Sequence, residues 1–173
     1  TKDTEKASGV ALISVDKNGE NHIVVAPGAN ATLTKERLKA VLKQMPDNAI
    51  VMMQLEIPLE SVASVIEFCK KSNIKIILDP APAKILTPEF TKSLYMITPN
   101  ETEASALTGI KIKDLSDVKK AATKLLGFGS QYVLITMGAD GVYLACQNDE
   151  FEYIPSPKVT TVDSTAAGDC FNG

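Results

Sequence analysis

Apolar residues recur along this chain with two alternating periods. Strand-prone runs at 9–15 and 22–26 flank Asp16-Lys17-Asn18-Gly19-Glu20. Asn-Gly supplies the positive φ angles of a tight type I′ turn, so the chain opens on a predicted hairpin. Such a hairpin is marginal alone in water and requires a further partner. Pro27-Gly28-Ala29-Asn30 breaks the pattern. A helix follows, with Thr34 as N-cap and Leu33 and Leu38 as a hydrophobic staple. Its inward face is Leu38, Val41, Leu42 and Met45, and Pro46 ends it. The run 49–55 is nearly all apolar, which suits a strand buried on both faces. A helix from about 58 carries Val62, Val65, Ile66 and Cys69 on one side.

The same alternation continues. Strands are predicted at 74–78 and 94–98, then a short helix at 101–107. Ser116 is read as the cap of a further helix, with Val118, Ala121, Ala122, Leu125 and Leu126 inward and Gly127 as its stop. Then come a strand at 132–136, a hairpin of 141–146 with 151–154, and a strand near 159–162. Alternating strands and helices predict an α/β fold: a doubly wound, mostly parallel sheet with helices on both faces, plus a small β-hairpin lid. The division expected is 1–30 for the hairpin and 31–173 for the α/β core.

Composition narrows the classes. A chain of 173 residues holds one domain with a real core, and 45% apolar residues exclude a disordered tail. Net charge is −3, with no basic cluster, so nucleic acid is not an expected partner. No apolar run approaches the roughly 20 residues of a membrane span. Cys69, Cys146 and Cys170 are odd in number and widely spaced, against a disulfide framework or zinc site, and a cytoplasmic setting fits. There is no G-x-x-x-x-G-K-[ST] and no G-x-G-x-x-G after a strand, which excludes a P-loop kinase and leaves a Rossmann dehydrogenase without its fingerprint.

In a doubly wound fold, ligands sit outside the C-terminal strand ends, where four polar clusters fall. In Asp163-Ser164-Thr165-Ala166-Ala167-Gly168-Asp169, small residues let an anion approach backbone N–H groups, and Asp169 stands beside that cradle. Asp169 is either a base accepting a hydroxyl proton or an acid stabilising a helix start. Asn100-x-x-Glu103 reads as a water-bridged Mg²⁺ or phosphate contact, as a capping box, or as both. Glu56, after Gln54-Leu55, is a used or a solvated charge. Thr136-x-Gly138 is a nucleotide contact or a plain turn. His22 is the only histidine and lies in the hairpin, away from these clusters. The stretch 79–83, Asp-Pro-Ala-Pro-Ala, reads as a rigid loop.

Together these segments resemble the ribokinase family, within the phosphofructokinase-B group of carbohydrate kinases. Residues 162–173 are similar to the D-T-x-A-G-D-x-F signature, with Ser164 at the usual Thr. Ser8-Gly9-Val10-Ala11-Leu12-Ile13, Gly28-Ala29-Asn30, Gln54-Leu55-Glu56, Pro80-Ala81-Pro82-Ala83 and Thr98-Pro99-Asn100-Glu101-Thr102-Glu103-Ala104 extend the likeness across the chain, in order. The resemblance implies ATP-dependent phosphorylation of the 5-hydroxyl of D-ribose. Asp169 matches the family's base, and Ala166, Ala167 and Gly168 match its anion hole. Glu56 matches a sugar-binding position, while Asn100, Thr136 and Gly138 match nucleotide contacts. Glu103 matches the residue near Mg²⁺, and Asp163 and Thr165 match positions for a monovalent cation, usually K⁺. The hairpin resembles part of a β lid that closes the sugar site and pairs subunits into a homodimer. Family members carry further sugar-binding and nucleotide-binding segments on either side. The chain is therefore expected to be a central fragment, inactive alone, with the signature stretch too short to hold a helix by itself. The readings in competition are another sugar or nucleoside kinase of the family, and a non-catalytic nucleotide-binding or dimerisation fragment.

Overall fold

The computed structural model describes residues 3–15, 21–46, 48–148, 150–161 and 164–173. The turn expected at 16–20 lies outside them, as do Val162 and Asp163. Two strands, β1 (Val10–Val15) and β2 (Asn21–Ala26), pair antiparallel as a separate small sheet. A 3₁₀ turn at Gly28–Thr32 leads into α1 (Lys35–Leu42). The core follows as β3 (Ile50–Met53), α2 (Leu59–Lys71), β4 (Lys75–Leu78), α3 (Pro88–Thr91), β5 (Met96–Ile97), α4 (Glu101–Thr108), α5 (Leu115–Gly127) and β6 (Tyr132–Thr136). A 3₁₀ turn at Gly138–Asp140, then β7 (Val142–Cys146), β8 (Phe151–Ile154) and α6 (Ala167–Asn172) complete it.

The main sheet has the order β3-β4-β5-β6-β7-β8. Its first four strands are parallel, and β7 and β8 return as an antiparallel meander. This is the mostly parallel α/β sheet with a small hairpin sheet beside it that the sequence predicts. Ile76, Leu78, Ile97, Val133 and Ile135 are buried, and α2 and α5 contribute Val62, Cys69, Val118 and Leu125 to the same core. Among the described residues, no helix is long and apolar enough to cross a membrane.

Several local expectations are corrected. β3 is not buried on both faces: it is the edge strand, and Ile50 and Met52 are 58% and 46% exposed. α1 ends at Leu42, and Val41 faces solvent while Leu42 is buried. Thr34 does occupy the N-cap, but without a capping side-chain bond. The cap of α5 is Asp114, not Ser116, because the Asp114 carboxylate accepts the Asp117 N–H at 3.0 Å. Gly127 lies within that helix, and the chain turns at Gly129, whose φ is 110°. The strand expected near 159–162 is absent from 159–161. Those residues are exposed, and Pro155 and Pro157 precede them without ladder donors. The short α3 was not foreseen. α6 does form, although no residue in it is buried.

Gly141 illustrates how tightly the meander is closed. Its φ is 101°, and a Cβ there would lie 2.1 Å from the Ile154 carbonyl oxygen. Only glycine fits that approach.

The cap assignment is testable. Asp114→Ala should cost about 1 kcal/mol of stability by urea unfolding. Ser116→Ala should cost roughly 0.5 kcal/mol or less. A larger loss at Ser116 than at Asp114 would show the helix starting later than Leu115.

Candidate active site

The parallel strands all end on one edge, and the polar residues after them meet there. The Asp79 N–H donates to the Met53 carbonyl, the Thr98 N–H to Leu78, and the Thr136 N–H to Pro99. A parallel bridge between Asn100 and Thr136 carries the pairing beyond β5. Leu55 is fully buried, with its N–H on the Ala81 carbonyl at 2.8 Å and its own carbonyl accepting from Lys84 Nζ. Burying Leu55 leaves its neighbours, Gln54 and Glu56, at the mouth of a cavity of about 270 Å³.

That cavity gathers the sequence candidates. Glu56, Asn100, Glu103 and Thr136 line it from the strand ends, and 164–169 line it from the opposite side. Ile23 of β2 also reaches it, so the hairpin leans over the opening. Asn100 and Glu103 form the capping box. Asn100 Oδ1 accepts the Glu103 N–H, and a Glu103 carboxylate oxygen accepts the Asn100 N–H, both at 2.9 Å. The capping-box alternative is thus observed, and the same pair also lines the cavity.

Opposite them the backbone bends sharply. Ala166 is left-handed, at φ 58° and ψ 17°, and Ala167 begins α6. A left-handed residue followed by a helical one turns successive N–H groups toward a common point, which makes a small anion-binding concavity. The Ala167 N–H also donates to the Ser164 carbonyl at 3.1 Å, which closes the turn. Beside Gly168, a Cβ would meet no atom within 4 Å, so the space there is open. Asp169 is exposed, and its Oδ1 accepts from Gln54 Nε2 at 2.9 Å.

A second cavity, about 460 Å³, adjoins the first and shares Asn100, Thr136, Ala167 and Gly168 with it. Gly138, Val142 and Phe171 line only this second space, and Glu56 only the first. The start of α6 therefore stands at the junction of two compartments, one richer in carboxylates and the other more apolar. Thr165 lines the first cavity. Its expected companion, Asp163, lies outside the described residues.

Burial raises the proton affinity of Asp79, opposed by hydrogen bonds from Gln54, Ala81 and Asn172 and reinforced by the nearby Asp169 charge. Burial raises Glu103 too, opposed by the Asn100 N–H and reinforced by Asp79. Thr98, only 5% exposed, lines the same cavity, and its Oγ1 has no hydrogen-bond partner among the described residues. An orphaned hydroxyl beside hard carboxylate and amide oxygens fits magnesium held through water and phosphate. No group of three or more His, Cys, Asp or Glu among the described residues could cage an ion directly.

The matching family model is that of pfkB family carbohydrate kinases, and it covers residues 1–173. The chain belongs to the pfkB family. Among curated pfkB relatives, it is 39% identical to the ribokinase of Haemophilus influenzae over 170 residues, covering 98% of this chain and 55% of that protein. It is 35% identical to the deoxyribokinase of Salmonella typhi, covering 96% of this chain and 55% of that protein. Among solved pfkB structures, Arabidopsis thaliana ribokinase complexed with ribose and ATP superposes with a TM-score of 0.81 at 29% identity, over 96% of this chain and 55% of that one. The chain spans about half the length of the curated relatives it matches.

Sequence reading placed Glu56, Asn100, Glu103, Thr136 and 165–169 at strand ends, and the fold brings them to one cavity. Asp79 was expected only as the start of a rigid loop, and Thr98 only as part of the family likeness. The signal was available: each is the first polar residue after a buried strand residue, Leu78 and Ile97.

The raised proton affinities give a pH prediction. An acid that holds its proton more tightly when folded supports the fold below the ordinary carboxylate range. It loses that support as pH rises through its raised value. Asp79→Asn removes the ionisation and keeps an acceptor oxygen. Its urea midpoint should match the parent's near about pH 3 and exceed it increasingly toward about pH 7. An offset that is constant with pH would contradict burial of the charge.

Proposed function

We propose that the protein carrying this chain phosphorylates the 5-hydroxyl of D-ribose with ATP, and that Asp169 is the general base. The observation that carries this reading is the convergence of Asp169, the 166–168 backbone, Glu56, Asn100 and Glu103 on one cavity. Ribose occupies the compartment bearing Glu56 and Asp169. The nucleotide occupies the compartment bearing Gly138 and Val142, with Asn100 and Thr136 shared between the two. The transferring phosphoryl group lies at the junction, against the N–H groups of 166–168. Asp169 takes the hydroxyl proton as the sugar oxygen bonds to the γ-phosphorus. The bond from that phosphorus to the bridging oxygen breaks, and ADP leaves with the electron pair. With little covalent work for the protein, rate comes from positioning and charge stabilisation. Magnesium, with Glu103 and Thr98 facing it through water, would neutralise phosphate charge. Asp163 and Thr165 are the proposed holders of K⁺. Free thiols at Cys69, Cys146 and Cys170 suit a reducing, cytoplasmic setting.

Relatives named ribokinase and deoxyribokinase both match, so the sugar is the second question. The experiment is ATP consumption with D-ribose, 2-deoxy-D-ribose and a nucleoside in turn, with the phosphorylated product identified by mass and phosphorus NMR. Ribose 5-phosphate should form fastest. Asp169→Asn should lower kcat by about 10²- to 10⁴-fold while the protein still binds ribose. A faster deoxyribose reaction would move the reading to the neighbouring sugar. Binding of ATP without turnover of any substrate would favour a nucleotide-binding fragment.

The hairpin supports a homodimer. Ile23 and Val25 line a space shared with Glu56 and Pro82 and are half exposed, at 53% and 51%, while on the other face of the hairpin Val10, Leu12 and Val24 are exposed at 55%, 67% and 58%. A second hairpin packed on those residues would bury them. Leu12→Glu should convert a dimer to a monomer by light scattering. An unchanged mass would exclude this face as the interface.

A further inference from the structure

Asp79 is a buried acid that the mechanism above does not use. It is 7% exposed at the end of β4, where burying a carboxylate is costly unless it is partnered. Its Oδ2 accepts from Gln54 Nε2 at 3.2 Å and from Asn172 Nδ2 at 3.1 Å. The same Gln54 Nε2 donates to Asp169 Oδ1 at 2.9 Å. A continuous chain results, from Asn172 to Asp79 to Gln54 to Asp169. Among the described residues, these are the only side-chain hydrogen bonds joining α6 to the sheet. α6 buries no residue and spans six. A helix that short does not hold itself.

The chemistry of the pieces makes the order of dependence clear. A glutamine amide has one end that donates and one that accepts, and nothing in its shape decides which faces Asp169. An ionised Asp79 only accepts, so it draws the NH₂ end toward itself. The two N–H bonds of that group then serve both carboxylates. Asp169 is thereby held by one oxygen, and its other oxygen is left for the substrate hydroxyl. Without Asp79, Gln54 keeps Asp169 as the acceptor for its NH₂ group but loses the second acceptor that fixes where that group stands, and Asn172 loses its anchor.

We propose that Asp79 is a positioning residue for Asp169, acting through the Gln54 amide and reinforced by Asn172. The proposal rests on the reading of Asp169 as the base. Asp79 Oδ2 alone accepts from Gln54 and Asn172, so an asparagine amide oxygen can take its place toward those two, at the expense of the Ala81 N–H bond.

The test is steady-state kinetics with ATP and ribose on the protein carrying this chain, for Asp79→Ala, Asp79→Asn, Gln54→Leu and the Asp79→Ala/Gln54→Leu double variant. Asp79→Ala should lower kcat by about 10- to 100-fold, with both KM values changed less than about threefold, as expected for a displaced base rather than weakened binding. Asp79→Asn should stay within about threefold of the parent, and the double variant should be no slower than the worse single one by more than about threefold. If Asp79→Ala does not fold, Gln54→Leu alone carries the test and must show the same loss in kcat. The proposal is overturned by unchanged kcat in Asp79→Ala or Gln54→Leu, by Asp79→Asn failing as badly as Asp79→Ala, or by losses that multiply in the double variant.

Amide hydrogen exchange separates this failure from failure of the base reading. Protection of the Cys170 and Gly173 amides, which bond to Ala166 and Asp169 carbonyls, should fall in Asp79→Ala and persist in Asp79→Asn. If Asp169→Asn kept full rate or no sugar were turned over, the base reading would fail, and this protection would still decide the tie. Equal protection in parent and Asp79→Ala overturns it.

Discussion

Parallel pairing is the constraint on which the site depends. In β3, β4, β5 and β6, the residues Met53, Leu78, Ile97 and Val133 stand in one row, each paired with the next. All four are buried. The row one position further on begins Gln54, Asp79, Thr98, and those side chains meet because the strands run the same way. In an antiparallel sheet, adjacent strands would present opposite ends, and these residues would be scattered. The hydrophobic row thus does two things. It anchors the core, and it fixes the spacing of the polar groups that follow. A register slip at any strand would remove one member of the site while turning an apolar side chain to the wrong face.

Helix starts supply the second layer of order. Asn100 and Glu103 satisfy two donors at the beginning of α4, an end that needs such partners wherever it falls. The same bonds hold the Glu103 carboxylate at the cavity wall, where burial raises its proton affinity. A side chain locked by a structural task is a good support for a chemical one, because its position is already fixed. α6 differs. Among the described residues it has no capping side chain and no buried residue, and the side-chain bonds that tie it to the strand ends come from Gln54 and Asp79.

The sequence made the local elements legible and the long-range ties illegible, for definite reasons. β6 and β8 matched their predicted bounds because period-two alternation and flanking turn residues agree there. Asp114 and Ser116 are both good caps, and periodicity alone does not choose between helix starts two residues apart. Val159, Thr160 and Thr161 have strand propensity but pair with no strand among the described residues, and propensity without a neighbour does not make a sheet. The strand-end clusters were readable because polar residues directly after apolar runs are conspicuous. The Gln54 bond to Asp169 spans 115 positions, and the Asn172 bond to Asp79 spans 93. No local pattern encodes contacts of that separation, and the likeness of 162–173 to a family signature points to Asp169 but not to what holds it.

The costs of the fold are distributed unevenly, and their location argues for chemistry. Among the described carboxylates, Asp79 and Glu103 are the two whose proton affinity is clearly raised, and both line the same cavity. The buried Thr98 hydroxyl has no partner there among the described residues, and Ala166 holds a left-handed conformation that costs a residue with a Cβ roughly 1 kcal/mol or more. The comparable features elsewhere are isolated. Asn73 is left-handed in the turn after α2, where asparagine is well tolerated, and Ser130, whose hydroxyl has no partner among the described residues, is not among the residues lining the cavity. Packing alone gives no reason for several unfavourable features to share one edge of a sheet. A charged, water-bearing ligand does: it would give Thr98 a partner, bind to the concavity at 166–168, and bring positive charge to the acids. The unfavourable features at this edge are thus matched to groups that an anionic ligand and a cation would satisfy together.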